Sequence, residues 1–497
     1  MTGGCGLGEW AHNGFKVGPN YHTPPAPVAV SWIDYQRPEG STTQPSADVD
    51  QWWRSFDDPV LNSLVSDMYA QNLTLRAAGE RIAQARAARG IAVGNLFPQA
   101  QSLTGSYDAV KASNETANGA REQYYGNAQA SFNVSWELDF WGRYRRAIES
   151  ADASLDASIA DFDDVLVVLV ADVASNYVQY RTLQERLDLT HQNVKIQEDS
   201  YRLATDNFKT GRTTERDMQQ ARQVLEQTRA AIPVFEIQLR QTNDALCVLL
   251  GIPSQKLADH LGETGTIPVG RSNWDIGIPA DLLRRRPDVR RAEREAAAQS
   301  AVIGIAQSEL YPHFTLDGSI GVAAEHLPSL GHTPDSVAAF GGPAFEWNIL
   351  NYGRLANAVE VQKARFRELV YRYQETVLRA NAEAENALIR HAKSKQRADY
   401  LAISVSAAQR TVQITYDQYH QGVIDFTPVF LFEGTLTTQQ DELAQAQGDI
   451  AQSLIDLYRA LGGGWQAQSY AAPHAPPPTT QHATSARPTT LGSTTGP

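Results

Sequence analysis

From Ala128 to Leu138 every second residue is apolar: Ala128, Ala130, Phe132, Val134, Trp136 and Leu138 alternate with Gln129, Ser131, Asn133, Ser135 and Glu137. A period of two over this length predicts a strand from Asn127 to Leu138 with one apolar and one polar face. The segment before it alternates too, with Leu103, Gly105, Tyr107 and Ala109 against Ser102, Thr104, Ser106 and Asp108. Later in the chain Phe314, Leu316, Gly318, Ile320 and Val322 alternate with Thr315, Asp317, Ser319 and Gly321. A fourth strand is predicted where Gly341, Pro343, Phe345, Trp347 and Ile349 alternate with Gly342, Ala344, Glu346 and Asn348. Pro343 lacks an N–H and weakens that strand locally. These lengths suit membrane-spanning strands of roughly 9–11 residues. Tyr124 and Tyr125 sit at one end of the best strand and Trp136, Phe140 and Trp141 at the other, like the interfacial girdles of a barrel. A soluble sandwich edge is the competing reading of any single strand. Four strands cannot close a barrel, and open edges do not survive in lipid. Several copies are therefore expected to combine around a water-filled lumen lined by the polar face.

Between the strand pairs the period becomes helical. Arg143–Thr210 and Arg354–Gln421 are each 68 residues long and contain neither Gly nor Pro. Their Ala-, Gln-, Glu-, Arg- and Leu-rich composition favours helix, which at 1.5 Å per residue would extend about 100 Å. Each run ends at a glycine, Gly211 or Gly422, and a second helical stretch returns to Gly251 or Gly462. Two long antiparallel hairpins are predicted, with Pro233 a candidate kink. Gly434 and Gly448 are expected to weaken the second returning helix by about 1 kcal/mol each.

The chain is thus written twice. Trp136, Gly142, Gly211 and Gly251 precede Trp347, Gly353, Gly422 and Gly462 by 211 positions, whereas Leu96-Phe97-Pro98 precedes Leu310-Tyr311-Pro312 by 214. One three-residue indel separates two domain-sized copies. The expected organisation is an arm at 1–50, a first repeat at 51–251, a linker at 252–280, a second repeat at 281–465 and a disordered tail at 466–497.

Composition narrows the function classes. The 497 residues are 42% hydrophobic and carry a formal net charge of −13, which argues against a nucleic-acid partner or a basic membrane-surface binder. Cys5 and Cys247 are too few for a disulfide framework, and Cys247, in Ala245-Leu-Cys-Val-Leu-Leu250, reads as a small core residue. No His-Glu-x-x-His, phosphate loop or zinc spacing is present, so no catalytic residue, cofactor or metal is expected. Glu137 and Asp139 are expected to share a strand's polar face, and Arg284-Arg285-Arg286 to be a solvated or ion-paired face. Met1-Thr-Gly-Gly-Cys5 resembles the end of a lipoprotein signal, without the charged and apolar regions ahead of it.

Three further motifs carry a family resemblance: Pro279-Ala-Asp-Leu-Leu-Arg-Arg-Arg-Pro-Asp-Val-Arg290, Val17-Gly-Pro-Asn-Tyr21 with Pro24, and Ala460-Leu-Gly-Gly-Gly-Trp465. Over about residues 15–465 the chain resembles the TolC-like outer-membrane efflux proteins, in the NodT-type lipoprotein branch serving resistance-nodulation-division pumps. The resemblance implies a mixed α and β membrane protein, a homotrimer. Its 12-stranded outer-membrane β-barrel, four strands per chain, would continue into a long periplasmic α-helical barrel with an equatorial belt. It implies an outer-membrane exit duct that passively conducts solutes, partnered by a periplasmic adaptor and an inner-membrane RND-type transporter, and a lipid on Cys5. A protein-secretion duct of the same fold and, in a different class, a periplasmic adaptor are the alternatives. One departure is the insertion between Cys5 and Val17.

The resemblance also places a gate. The reversals at Gly211 and Gly422 would form the closed periplasmic mouth, and the helix after Gly422 would line its narrowest ring. Many relatives carry an aspartate there a few residues after a Phe/Tyr-Leu step. Here Leu431 occupies that position within Gly422-Val-Ile-Asp-Phe-Thr-Pro-Val-Phe-Leu-Phe-Glu433. The expectation is an apolar constriction from Phe430 or Leu431, close to Phe426. Asp425 or Glu433 would supply a nearby acidic ring, with Asp217 the first-repeat counterpart.

Overall fold

The computed structural model describes residues 6–29, 31–33, 49–111, 124–257, 261–262, 265–270, 284–331 and 334–466. Cys5, much of the linker, residues 279–283 of the arginine motif and the tail from 467 lie outside the described residues.

Strands β1 (Ala100–Lys111), β2 (Tyr124–Leu138), β3 (His313–Ala324) and β4 (Val337–Glu346) form one antiparallel sheet in the order β1-β2-β3-β4. Its register carries each apolar residue of one strand onto the apolar face of the next. Leu103 lies opposite Phe132, Phe132 opposite Ile320, and Ile320 opposite Ala339. A slip of one residue would turn all of them over. The fourth strand departs from expectation: it begins at Val337 and ends at Glu346, leaving Trp347 and Ile349 beyond it. The strand runs through Pro343, opposite Leu316. Within one chain β4 is an edge strand, where proline is tolerated.

The helices are α1 (Gly6–His12), α2 (Pro59–Gln71), α3 (Leu73–Gly94), α4 (Arg143–Lys209), α5 (Glu215–Leu249), α6 (Pro287–Ser308), α7 (Arg354–His420) and α8 (Thr427–Ala460), with a 3-10 stretch at Val49–Phe56. Helices α4 and α7 are 67 residues each, about 100 Å of uninterrupted helix. Both start on a left-handed glycine, Gly142 or Gly353, at φ +80° and +82°. Helix α5 continues through Pro233.

The repeated residues turn out to be joints. Trp136 Nε1 donates to the carbonyl of Leu96 (3.2 Å), and its match Trp347 donates to Leu310 (3.1 Å). In each copy the residue leaving the β-hairpin is tied to the turn that enters it. Gly211, Gly251, Gly422 and Gly462 close four helices with the same paired bonds. At the first, Gly211 N–H donates to Phe208 O (3.0 Å) and Arg212 N–H to Asn207 O (2.9 Å). This closure needs a left-handed residue, and glycine adopts it without steric cost.

The main core lies at a waist, where the helix ends converge on α4. Trp52, Leu61, Leu64, Met68, Ile82, Leu166, Val170, Tyr177, Leu246, Cys247, Leu454 and Tyr458 are buried together. Trp52 stacks on Tyr458 at 5.1 Å. A smaller apolar cluster of Ala204, Ala221, Tyr419, Phe426 and Val429 closes the far tip. Between waist and tip α4 packs against α5 and α8.

Gly448 explains itself in this packing. A β-carbon there would collide with Thr182 Oγ1 and lie 2.9 Å from its Cγ2. Gly448→Ala should gain helix propensity yet lose stability, since overpacking costs about 1–3 kcal/mol. Adding Thr182→Ala, which removes both colliding atoms, should restore the thermal midpoint. A single Gly448→Ala variant that melts higher than the parent protein would contradict this packing.

Candidate functional site: the polar sheet face and the helical tip

The polar face of the sheet is cross-linked by its own side chains. Thr104 and Ser131 hydroxyls lie 3.1 Å apart, Asn133 Nδ2 donates to Thr104 (3.1 Å), and Ser319 donates to Asn133 Oδ1 (2.8 Å). Ser135 and Thr315 both donate to Asp317, at 2.5 and 2.8 Å. The opposite face exposes Leu103, Tyr107, Phe132, Leu316 and Ile320. At the helix end of the sheet Glu137 accepts from Tyr144 (2.7 Å) and lies 2.8 Å from His313 and 3.3 Å from Arg143. Asp139 does not share that strand face. It lies past the end of β2 and accepts the N–H groups of Tyr144 (2.9 Å) and Arg145 (3.1 Å). There it caps the first turn of α4, where a carboxylate is favoured.

At the tip the candidate gate residues separate into two groups. Leu431 is 56% exposed, Phe432 is 40% exposed, and Asp425 is exposed, paired with Arg216 across the two hairpins at 2.9 Å. Phe430 is half-buried against the tip cluster. Phe426, Asp217 and Glu433 are enclosed within the chain. Phe426 packs edge-on against Tyr419 at 5.2 Å. Asp217 accepts from Thr214 Oγ1 (3.3 Å) in the first turn of α5. Of the two expected acidic candidates, Asp425 is thus the exposed one and Glu433 is enclosed, as are Phe426 and Asp217. These side chains are consumed by packing between the helices.

Glu433 belongs to a polar stripe that periodicity alone does not reveal. Ser200 donates to Glu433 Oε1 (2.5 Å), Gln197 to Thr437 (3.3 Å) and Asn193 to Gln440 (2.9 Å). Arg186 grips Asp441 (2.6 and 3.0 Å) and Gln445 (3.1 Å). The facing surfaces of α4 and α8 thus meet through hydrogen bonds. Among the described residues Glu433 Oε2 has no hydrogen-bond partner. Burial pushes the Glu433 carboxyl up to about 7, against which the Ser200 bond works only partly.

The arginine motif is a joint as well. Arg284 and Arg285 are exposed, but Arg286 is buried. Arg286 donates to Ala460 O at the end of α8 (2.6 Å), to Asp288 (2.8 Å) and to Glu383 on α7 (2.8 Å). Its guanidinium satisfies a terminal helix carbonyl and meets the negative end of the helix dipole. Burial opposes its charge, and the two carboxylates more than offset that. Arg290 and Arg291 extend the contact to Asp163 (3.3 Å) and Asp161 (2.8 Å) on α4. Burial raises Asp163 to about 6 despite Arg290. The run thus divides between the two expected readings: Arg284 and Arg285 are solvated, and Arg286 is ion-paired and buried.

No helix of the described residues is long and apolar enough to cross a membrane. Among those residues no group of His, Cys, Asp and Glu is arranged to hold a metal ion.

The Glu433 carboxyl is held above its ordinary value near 4.5, so the folded state binds the proton more tightly than the unfolded chain. The stability this contributes is complete below pH 4.5 and is lost as pH rises through about 7. A shift of that size corresponds to about 3 kcal/mol. Melting at pH 5 and pH 8 should show a larger loss for the parent protein than for Glu433→Gln. Equal losses would place the carboxyl in water.

This geometry has close counterparts. A family model for outer membrane efflux proteins matches residues 64–252 and 278–463. Nodulation protein T of Rhizobium leguminosarum bv. trifolii is 31% identical, over 91% of this chain and 95% of that protein. The pyoverdine export outer membrane protein OpmQ of Pseudomonas putida is 30% identical, over 90% and 95%. The solved outer-membrane channel OprN superposes with a TM-score of 0.84 at 30% identity, covering 90% of this chain and 99% of that one. The CusC structure gives 0.76 at 26% identity, covering 90% and 100%. With this sheet, these paired hairpins and these relatives, the chain belongs to the outer membrane efflux protein family, as a non-enzymatic exit duct of an efflux pump, seated in the outer membrane and reaching into the periplasm.

Proposed function

We propose that three copies close a 12-stranded barrel, with the polar sheet face around the lumen and the apolar face in lipid. The observation that carries this reading is a four-stranded sheet with an exposed apolar face and two edges, β1 and β4, that no other strand of the described residues pairs. Four alternating strands leave β4 antiparallel to β1, so identical copies can pair edge to edge around a closed ring. The helical hairpins then continue the barrel as a periplasmic tube. The repeats at 51–251 and 281–465 supply its two halves per chain, and the segment 252–280 contributes to a belt at the waist. A periplasmic adaptor docks on the tube, and an inner-membrane RND-type transporter supplies the work. Cys5 carries a lipid in the processed protein, each buried CH₂ adding about 0.8 kcal/mol of membrane affinity.

The mouth of the tube lies at Gly211 and Gly422. Leu431 is the apolar constriction and Asp425 the acidic ring, three copies of each meeting around one axis. An apolar ring gates by dewetting, and acidic side chains favour cations. Opening requires the second hairpin to swing away from the first, which breaks the Arg216–Asp425 pair.

Native mass spectrometry of the protein released from mild detergent is expected to give three chains per particle, each heavier than its polypeptide by an acyl modification at Cys5. A monomer stable without detergent would refute the barrel, and an unmodified mature Cys5 would refute the anchor. In planar bilayers Leu431→Ser should raise closed-state conductance, and Asp425→Ala should lower the preference for cations. If both variants conduct like the parent protein, the constriction lies elsewhere.

A further inference from the structure

The insertion ahead of Val17 has its own structure, and one residue in it is strained. Phe15 adopts φ +61°, a left-handed conformation unfavourable for a bulky side chain. Its surroundings enforce it. Phe15 N–H donates to Trp10 O (2.8 Å), and Arg145 donates to Gly14 O (2.7 Å) and Phe15 O (2.9 Å). Asn13 Nδ2 donates to Lys16 O and Gly18 O (3.1 Å each), Lys16 pairs with Glu149, and Val17 N–H donates to Trp141 O (2.9 Å). Glycine would make this turn without strain. The aromatic ring, 52% exposed, is what the strain retains.

That ring starts a row. Trp10 meets Phe15 edge-on at 4.8 Å and stacks on Phe140 at 5.1 Å. Phe140 meets Phe314 at 5.4 Å, and Phe314 meets Phe345 at 6.4 Å. Phe314 and Phe345 are register partners on the apolar face of the sheet, at the end where the strands give way to helices. Phe140 and Phe345 are 45% and 71% exposed. The one polar atom of Trp10's indole is satisfied by Phe140 O at 3.2 Å. The N-terminal segment therefore extends the sheet's apolar belt with ring surface of its own.

We propose that residues 6–16 form an interfacial membrane anchor, with Phe15 and Trp10 seated at the phospholipid headgroup boundary of the inner leaflet. The inference rests on reading the strands as membrane-spanning. Aromatic rings favour that depth, where an apolar body meets the wet headgroup layer. The occupant follows from continuity: the row of rings joins a sheet face that already lies in lipid, at its periplasmic rim. The anchor acts through side chains and so operates independently of an acyl chain on Cys5. Together, rings and lipid would provide the two weak attachments that stable anchoring needs.

The test uses the full chain carrying Cys5→Ser, reconstituted into phosphatidylethanolamine–phosphatidylglycerol vesicles. A nitroxide is placed in turn at Phe15→Cys, at Phe132→Cys on the apolar sheet face, and at Lys209→Cys on the exposed tip. Cys247 is fully buried and stays unlabelled. Collisions with oxygen, which partitions into lipid, and with a water-soluble nickel chelate are compared. Position 15 should lie between the other two, with nickel access several-fold below position 209 but above position 132, and oxygen collision above that at 209. Nickel access at 15 equal to that at 209, with 132 protected, would overturn the anchor alone. Protection of 15 from both reagents would mean that protein covers the ring, which also overturns it. Nickel access at 132 would overturn the membrane-spanning strands and the anchor with them. Phe15→Gly, which relieves the backbone, should leave the melting temperature in detergent unchanged or raised. A fall would make the ring a packing element and refute the proposal.

Discussion

An unpaired strand edge cannot stay in hydrocarbon, because each bare N–H and C=O there costs several kcal/mol. This chain has a sheet whose apolar face is exposed and whose two outer strands, among the described residues, lack partners. Membrane insertion and closure with other copies are therefore one requirement. Everything below the sheet inherits that geometry. Both long helices start on a left-handed glycine, Gly142 or Gly353, a short segment after a strand ends, so the direction of each hairpin is set close to the sheet. The equal 67-residue lengths of α4 and α7 then bring both reversals to a common level.

The helical part divides its labour along its length. At the waist large side chains such as Trp52, Leu61, Met68, Leu166 and Leu246 are fully enclosed, each stabilising by roughly 1.5–3 kcal/mol. Toward the tip α4 and α8 meet through Ser200–Glu433, Gln197–Thr437 and Asn193–Gln440. A net gain of about 0.5–1.5 kcal/mol is usual for such a bond, and the side chains can be resatisfied by water when the helices part. The helical part is thus packed most heavily at its waist, whereas between waist and tip α4 and α8 meet through polar contacts. The Arg286 joint, gathering Ala460, Asp288 and Glu383, locks the second repeat's helices to the waist.

Much of this was legible in the sequence because it is local or periodic. Alternation located β1, β2 and β3 to within a few residues, and the absence of Gly and Pro gave the two long helices. The duplicated Trp136 and Trp347 were visible as a pattern, but their bonds to Leu96 and Leu310 became intelligible only in three dimensions. Strand β4 was misplaced for a physical reason: Val337-Ala-Ala-Phe340 is apolar on both faces, so no period of two marks its start. Alternation also continues past its end, although Trp347 is already diverted to Leu310. The tip is least legible. Glu433 and Ser200 are 233 residues apart, and nothing local separates a carboxylate facing a pore from one buried between helices. Gly448 is a weak point by helix propensity, and only the packing shows that a β-carbon there would collide with Thr182.

The central claim is that β4 of one copy pairs with β1 of the next. Cysteine pairs, one on β1 at Ser102, Thr104 or Ser106 and one on β4 at Ala338, Gly342 or Ala344, test it by oxidation in native outer membranes. The account predicts that some of these pairs cross-link chains into covalent dimers and closed trimers, while each single cysteine with Cys5 and Cys247 alone does not. If every pair leaves only monomers, or forms its disulfide within one chain, the sheet closes in some other way and the account is wrong.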